Sequence, residues 1–241
     1  MISIAILALN EALNIEDTVE TVLAAGQAAG GVELDIIIVN DGSTDNTKAL
    51  ADSLAARHPM VRVVNHEVNR GIGAGIASGL AAARGERFMW LPGDNDLDAE
   101  IMTKMFLASP KADLILTYYL NREIRGRRRA TLSAIYNAIH MVTFGVFVMY
   151  ITGPFLTDTE RLRKLTLIST RFSCVAETIL KLLMSGCTYH EVAGYMNMGK
   201  KGSSAVSAGN LWEVIRMYLV LVYVLLWRDR HLYNKAAVRV R

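Results

Sequence analysis

The sequence RFMWLPGDNDLD at residues 87–98 is the stretch from which the fold is inferred. Its apolar first half runs into Pro92 and Gly93, a pattern that predicts a buried strand ending in a turn. Three carboxylates follow at alternate positions: Asp94, Asp96 and Asp98. Ligands of α/β sheets bind at this end of a strand, where acidic oxygens suit Mg²⁺ or Mn²⁺ bridging a diphosphate. Taken alone, the pattern is more typical of a solvated turn, so the rest of the chain has to decide.

The first hundred residues alternate between two hydrophobic patterns. Apolar, β-branched runs predict strands at residues 2–9, 35–39, 61–65 and 87–91. Apolar residues at helical spacing predict helices at residues 15–29, 48–57 and 76–83. Further along, a strand is expected at 113–117 and a helix at 172–184. The alternation predicts an α/β fold with a mostly parallel, Rossmann-like central sheet flanked by helices.

Composition limits the possible classes of protein. The chain has 241 residues, enough for one large α/β domain, and 52% of them are hydrophobic. The net charge of +3, with one tight basic run at residues 122–129, does not indicate nucleic-acid binding. Cys174 and Cys187 lie in apolar surroundings and predict buried free thiols in a reducing compartment. The chain begins with strand-like residues, which predicts a first strand in place of a signal peptide.

Glycines at 71, 73 and 75 suggest a dinucleotide fingerprint, but the spacing differs and the pattern follows the third predicted strand instead of the first. We interpret them as a tight loop that lets a helix start close to the sheet.

Four motifs in order resemble those of glycosyltransferase family 2. They are LNE at residues 9–11, VNDGSTDNT at 39–47, NRGIGAG at 69–75 and GDND at 93–96. Within this family the chain is most similar to the polyprenyl-phosphate sugar transferases, the group that includes dolichyl-phosphate mannose synthase, over roughly residues 2–210. The resemblance implies a GT-A fold, an inverting transfer, a UDP- or GDP-linked sugar donor, and Mg²⁺ or Mn²⁺.

The same resemblance assigns residues to the donor side. Those expected at the nucleoside and donor are Glu11, Val39, Asp41 and Arg70. Leu7 and Leu9 stand where relatives carry a proline and an aromatic residue, which leaves the stacking on the base and the identity of the base open. The expected diphosphate and metal residues are Asp94, Asn95 and Asp96, with Asp98 at a third metal-side position. The basic stretch MGKKGSS at residues 198–204, with Lys200 and Lys201, resembles a loop that closes on the phosphates, although a surface turn is the alternative.

The acceptor side rests on Arg129 and Ser133, which match the family's acceptor-phosphate pair in type and spacing. A guanidinium fork and a hydroxyl suit a phosphate monoester. We interpret the other arginines of this run as a solvated loop. TGPF at residues 152–155 resembles a turn near the acceptor. Relatives place an acidic residue beside the metal at Glu177, for which a positioning role and a structural ion pair both remain open.

Two apolar stretches predict contact with a membrane or a partner. Residues 140–151 predict a helix lying on a surface, because they are too few to span a bilayer. Residues 211–227 have an uncharged core flanked by tryptophans and arginines, which suits either an in-plane anchor or packing on a second subunit. We therefore expect a catalytic domain at 1–210, a membrane- or partner-associating region at 211–241, a cytoplasmic location at the inner membrane face, and a possible homo-oligomer.

The sequence thus predicts a metal-dependent transfer of a sugar from a nucleotide donor to a polyprenyl phosphate. Two alternatives stay open at this point. One is transfer to a soluble or polysaccharide acceptor, and the other is a non-catalytic scaffold that binds nucleotide sugars.

Overall fold

The computed structural model describes residues 1–197 and 208–240 and confirms the alternation of strands and helices. The strands are β1 (Ile2–Ala8), β2 (Leu34–Asp41), β3 (Val61–His66), β4 (Arg87–Pro92), β5 (Leu114–Tyr119), β6 (Phe155–Asp158), β7 (Thr188–Gly194) and β8 (Val238–Arg239). The helices are α1 (Ile15–Ala28), α2 (Thr47–Arg57), α3 (Ile72–Ala82), α4 (Ala99–Ala108), α5 (Arg127–Phe144), α6 (Thr159–Arg163), α7 (Ser173–Met184) and α8 (Ala208–Tyr223). A 3₁₀ turn spans Arg122–Arg125, and a π turn spans Val224–Arg228.

One sheet contains all of these strands, in the order β3-β2-β1-β4-β6-β5-β7-β8. Every pairing in it is parallel except those of β6, which runs antiparallel to both β4 and β5. The carboxyl ends of the parallel strands therefore meet at one edge, and the chain enters β6 from that same edge. The sequence predicts a turn at residues 152–155 and does not predict the strand that begins at Phe155.

Helices cover both faces of the sheet. The first core cluster joins Ile4 and Ile6 of β1 to α1 and α4, whereas Ala5 of β1 faces a second cluster with α3 and α7. A strand buried on both faces reads as a continuous apolar run, which explains why β2 and β4 lack alternation. Cys174 and Cys187 are free and buried, as predicted.

The helix expected at residues 76–83 begins earlier, at Ile72, which corrects the predicted glycine loop. Gly73 and Gly75 therefore lie inside α3. A Cβ atom on Gly73 would come within 2.6 Å of the Thr170 carbonyl carbon, and one on Gly75 within 3.0 Å of the Leu7 side chain. The glycines thus allow close approach, as inferred, but along the helix and not before it.

The apolar helix expected at residues 140–151 is wrong in its bounds. Helix α5 starts at Arg127 and ends at Phe144, because Gly145 adopts a left-handed conformation with φ of 64°. Residues 146–151 form no helix. The arginine run, expected to be a loop, instead forms the 3₁₀ turn and the first turn of α5. Arg127, Arg128 and Arg129 are exposed there, as expected of a solvated stretch.

Helix α8 confirms the amphipathic C-terminal helix. Its buried side includes Met217 and Leu221, whereas Trp212 and Leu219 are exposed. Tyr218 joins it to α5 through a 2.7 Å hydrogen bond between its hydroxyl and that of Thr143. Among the helices in the described ranges, none is both long and apolar enough to cross a bilayer.

Candidate active site at the carboxyl edge of the sheet

The loop after β4 is fastened to the neighbouring β1 and α1. The Gly93 N–H donates to the Leu7 carbonyl at 2.8 Å, and the Thr18 hydroxyl donates to the Gly93 carbonyl at 2.9 Å. Asn95 then takes a left-handed conformation with φ of 55°, and the Asp96 N–H donates to Asp94 Oδ1 at 3.2 Å. This tight turn places Asp94 and Asp96 at the carboxyl edge, as predicted, with both residues half-buried.

Asp98, the third carboxylate of this stretch, starts a helix. Its Oδ1 accepts a 2.6 Å hydrogen bond from the Glu100 N–H, which makes Asp98 the N-cap of α4. One of its oxygens is therefore engaged in helix capping, and its expected role at a metal stays a prediction.

Negative charge accumulates around Glu11. Burial raises the pKa of this carboxyl above its ordinary value, and the charges of Asp94 and Asp45 raise it further, while a hydrogen bond from Asn14 opposes them. The Asn14 amide donates to Glu11 Oε2 at 2.7 Å. Like charges held together at a loop edge favour a bound cation, because a cation relieves their repulsion.

A buried network surrounds Asp41 at the end of β2. Its carboxylate accepts hydrogen bonds from the Arg70 and Gly71 N–H groups, both at 2.9 Å, and lies 2.7 Å from His66 Nδ1. The other ring nitrogen of His66 lies 2.9 Å from the Ser78 hydroxyl. Asp41 thus fixes the loop that carries Arg70. Sequence analysis missed His66 and Ser78, because their partners lie far away in the sequence and no local motif joins them.

The loop after β1 is held by the loop after β2. The Asn10 and Glu11 N–H groups donate to the Ser43 and Thr47 hydroxyls at 3.0 and 2.8 Å, and Asn10 Oδ1 accepts from the Thr44 N–H at 2.8 Å. Asn10 has a φ of 58°, which an asparagine tolerates better than most residues. The first two family motifs therefore form one hydrogen-bonded unit.

The other residues expected on the donor side differ in how deeply they are buried. Val39 is fully buried and packs with α3, so its side chain is covered by the protein, and its expected place beside the base stays a prediction. Leu7 is half-buried against Gly75, and Leu9 is half-buried at the end of β1. Arg70 is exposed beside the Asp41 network.

The chain returns to the Asp94–Asp96 loop after β7. Asn121 Nδ2 donates to the Met196 carbonyl at 3.1 Å, and Asn121 Oδ1 accepts from the Met196 N–H at 2.8 Å. The Asn197 N–H then donates to the Asp96 carbonyl at 2.9 Å. Residue 197 is the last one described before the gap, so the predicted residues Lys200 and Lys201 lie outside the described part of the chain.

Arg129 and Ser133 both lie in α5, one turn apart on the same side of the helix, with Arg129 exposed and Ser133 half-buried.

Upstream, the Arg122 guanidinium lies 4.7 Å from the centroid of the Tyr150 ring and donates to the Met149 carbonyl at 2.8 Å. Burial, together with the nearby Tyr150 and Asp94, raises the pKa of Tyr119, which packs edge-on against Tyr150.

Glu177 is fully buried in α7 and has the partners of a structural ion pair. Its two carboxylate oxygens accept hydrogen bonds of 2.8 Å each from the Ile168 and Ser169 N–H groups. Lys181, one turn later, donates to Glu177 Oε1 at 2.6 Å. The structure therefore shows the ion pair, and a positioning role for Glu177 stays a prediction.

The residues at the edge fit a divalent cation held partly by a substrate. In the described parts of the chain, no group of three or more His, Cys, Asp and Glu side chains is arranged to hold a metal on its own. Mg²⁺ and related ions commonly use one or two carboxylates together with substrate phosphates. Asp94 and Asp96, close to the Glu11 carboxyl, match that arrangement.

Comparison with known proteins agrees with this fold. The model of glycosyl transferase family 2 matches residues 3–168, more than half of the chain, so the chain belongs to glycosyltransferase family 2. Glucosyl-3-phosphoglycerate synthase from Mycobacterium tuberculosis, crystallised with Mn²⁺, uridine diphosphate and phosphoglyceric acid, has a similar structure. Its TM-score is 0.66 at 18% identity, over 93% of this chain and 78% of that one. The fold is of the GT-A type, as predicted.

Curated relatives match over shorter stretches. A dolichyl-phosphate beta-glucosyltransferase from Trichomonas vaginalis is 40% identical over 60 residues, which are 25% of this chain and 18% of that protein. A poly-beta-1,6-N-acetyl-D-glucosamine synthase from Staphylococcus epidermidis is 33% identical over 113 residues, 46% of this chain and 26% of that protein. The matched stretches thus span less than a third of these relatives' lengths.

Proposed function

We propose that the protein transfers a sugar from a UDP- or GDP-linked donor to a polyprenyl phosphate, with inversion at the anomeric carbon. The observation that carries the proposal is the pairing of two unlike surfaces. An acidic turn at Asp94 and Asp96 stands at the carboxyl edge, and α5 combines Arg129 and Ser133 with an exposed apolar face. Relatives with a dolichyl-phosphate acceptor in their names favour the same reading.

The donor side is supported by charge and by rigidity. Asp94 and Asp96 would hold Mg²⁺ or Mn²⁺, which would neutralise charge on the donor diphosphate. Glu11 and Asp41 would contact the nucleoside from loops already fixed by hydrogen bonds. The structural neighbour crystallised with Mn²⁺ and UDP-glucose supports this assignment by analogy of fold.

On the acceptor side, Arg129 and Ser133 would bind the phosphate. Its ionised oxygen forms the new bond to the anomeric carbon, the bond from that carbon to the diphosphate breaks, and the electron pair leaves with the nucleoside diphosphate. Because the attacking oxygen carries no proton at neutral pH, the step needs no general base. This agrees with the engagement of both Glu177 oxygens inside the protein.

The apolar part of the acceptor would lie in a membrane surface on which α5 and α8 rest. We call the exposed apolar residues of these neighbouring helices the α5–α8 surface: Leu132, Ile135, Ile139, Val142, Trp212, Ile215, Leu219, Tyr223 and the adjoining Trp227. Val142 is 79% exposed and Trp227 is 74% exposed, although both are apolar. Arg127, Arg128 and Arg129 at the start of α5 would meet anionic headgroups. A peripheral location at the cytoplasmic face of a membrane follows from this proposal.

Two measurements test the donor side. Thermal unfolding with UDP or GDP, with and without Mn²⁺ or Mg²⁺, should give a metal-dependent rise in melting temperature. Slow metal-dependent hydrolysis of a nucleotide sugar without acceptor would exclude a non-catalytic scaffold. If neither nucleotide stabilises the protein, the proposal is wrong.

A further inference from the structure

An irregular stretch, residues 164–172, runs along α3 from one end of the helix to the other, and we call it the crossing segment. It links α6 to α7 and contains no helix or strand. Just before it, Arg163 at the end of α6 donates to the Leu80 and Ala83 carbonyls, at 3.2 and 2.9 Å, at the C-terminal end of α3. Near its end, the Thr170 carbonyl accepts from the Gly73 N–H at 3.0 Å, in the first turn of α3. The segment therefore spans the length of α3.

Two buried charges hold the middle of this segment. Glu177 accepts from the Ile168 and Ser169 N–H groups, and the Lys181 ammonium donates to the Thr166 carbonyl at 2.5 Å. Side chains in the segment are mostly exposed, with Ser169 buried. An exposed stretch without secondary structure is otherwise poorly restrained, so these backbone contacts help to fix where it lies, beside the packing of Leu165 and a 3.4 Å hydrogen bond from the Ser169 hydroxyl to Glu213.

Helix α3 depends on such support. Its sequence, IGAGIASGLAA, places Gly73, Gly75 and Gly79 inside the helix, where glycine is a weak helix former. Its first turn is held from one side by Asp41, which accepts from the Arg70 and Gly71 N–H groups. Thr170 holds it from the other side. The Gly71 N–H and Gly73 N–H groups are therefore already bonded inside the protein.

From these contacts we infer that Glu177 and Lys181 are positioning residues for the donor. Through the crossing segment they hold the first turn of α3, and so Arg70 and its contact with Asp41, in the arrangement that binds the nucleoside diphosphate. This inference rests on the proposed function, since it takes Arg70 and the first turn of α3 as part of the donor site. Neither side chain touches substrate.

The test uses the double variant Glu177→Gln/Lys181→Met. It removes the ion pair without leaving an unpaired buried charge, and a glutamine oxygen can replace one of the two backbone contacts at most. Leu182→Ala is the matched control: Leu182 is fully buried in the same helix but has no polar atom to bond the crossing segment. A second variant, Gly73→Ala, favours the helix yet puts a Cβ 2.6 Å from the Thr170 carbonyl carbon.

We expect both the double variant and Gly73→Ala to weaken binding of UDP or GDP with Mn²⁺ by about tenfold or more, with the KM for the donor raised and the KM for the acceptor unchanged. Hydrogen exchange should lose protection at the residue 73 amide, and in the double variant at Ile168 and Ser169 as well. Leu182→Ala should lower the melting temperature and leave nucleotide affinity at the wild-type value.

The inference is overturned if the double variant keeps wild-type nucleotide affinity and wild-type protection at residue 73, or if Leu182→Ala weakens binding equally. A different result, in which the wild-type protein binds neither nucleotide, would refute the proposed function. Hydrogen exchange would then still decide whether Glu177 and Lys181 hold the first turn of α3.

Discussion

The loops that follow β1, β2 and β4 differ from the α5–α8 surface in what their side chains contact. In the loops, polar groups bond to one another: Asp41 alone binds two backbone N–H groups and His66. On the α5–α8 surface, apolar side chains such as Val142 and Trp212 face solvent. A site assembled before its ligand arrives suits a small, charged donor, whereas exposed apolar area is typical of a surface that meets a membrane or another protein.

The largest expected effect lies in the donor half. Asp94→Ala or Asp96→Ala should lower the rate of transfer by about 10²-fold or more. Either variant should also abolish the metal-dependent rise in the protein's melting temperature with UDP or GDP. Unfolding free energy should change by only about 1 kcal/mol, because half-exposed turn residues add little to a core. Activity assays and thermal unfolding with UDP or GDP and Mn²⁺ measure both quantities. Unaltered, metal-dependent nucleotide binding in Asp96→Ala would refute the assignment.

Asp98→Ser separates capping from metal binding in the same loop. Serine keeps the N-cap of α4 but removes the carboxylate. If Asp98 acts as a cap alone, this variant retains its metal dependence, whereas Asp98→Ala loses about 1 kcal/mol of stability. A strong loss of activity in Asp98→Ser would place Asp98 at the metal after all.

Arg129→Lys tests the acceptor half. It keeps the charge but loses the planar fork, whose contact to phosphate contributes on the order of a few kcal/mol. The KM for polyprenyl phosphate should rise by tens of fold, while donor binding stays nearly unchanged. Arg128→Lys, in the same exposed helical turn, is the control and should behave as wild type. Equal losses of affinity for donor and acceptor would indicate that Arg129 contacts the donor diphosphate.

How much of this molecule could be predicted depends on the range of the interactions. The strands, the acidic turn at Asp94 and the buried cysteines follow from local patterns. The Asp41–His66–Ser78 network and the crossing segment do not, because their partners are brought together by the fold alone. The burial of Val39 could not be predicted either, because a motif position says nothing about burial. The length of α5 was missed because Gly145 ends it through a left-handed conformation, although the apolar run continues.

A smaller effect is expected on the α5–α8 surface. Leu132→Glu and Ile139→Glu should each lower binding to anionic lipid vesicles by about tenfold or more, because burying one such side chain contributes about 2 kcal/mol. Leu107→Glu on α4 is a matched control, since Leu107 is 55% exposed and Leu132 is 56% exposed. Vesicle sedimentation measures the difference. Unchanged sedimentation combined with a loss of dimer on sizing would identify the surface as a subunit contact.

The smallest effect concerns the charge at Glu11. Because its pKa is raised in the folded protein, ionised Glu11 opposes folding, and this penalty disappears as the pH falls through the raised pKa. A bound cation favours the ionised form, so the stabilisation by Mn²⁺ should decline as the pH falls through the raised pKa of Glu11. Glu11→Gln should flatten that decline in thermal unfolding. If the stabilisation by Mn²⁺ depends on pH in this variant as it does in the wild type, the charge of Glu11 does not interact with the cation.

The most direct measurement is transfer of a labelled sugar by the purified protein, with UDP- and GDP-linked hexoses, Mn²⁺ and polyprenyl phosphate in detergent. We predict label in the lipid fraction with polyprenyl phosphate but not with the unphosphorylated polyprenol, inversion at the anomeric carbon, and loss of the product on chelation of the metal. Label on a water-soluble acceptor or polysaccharide, with none on the lipid phosphate, would contradict the account.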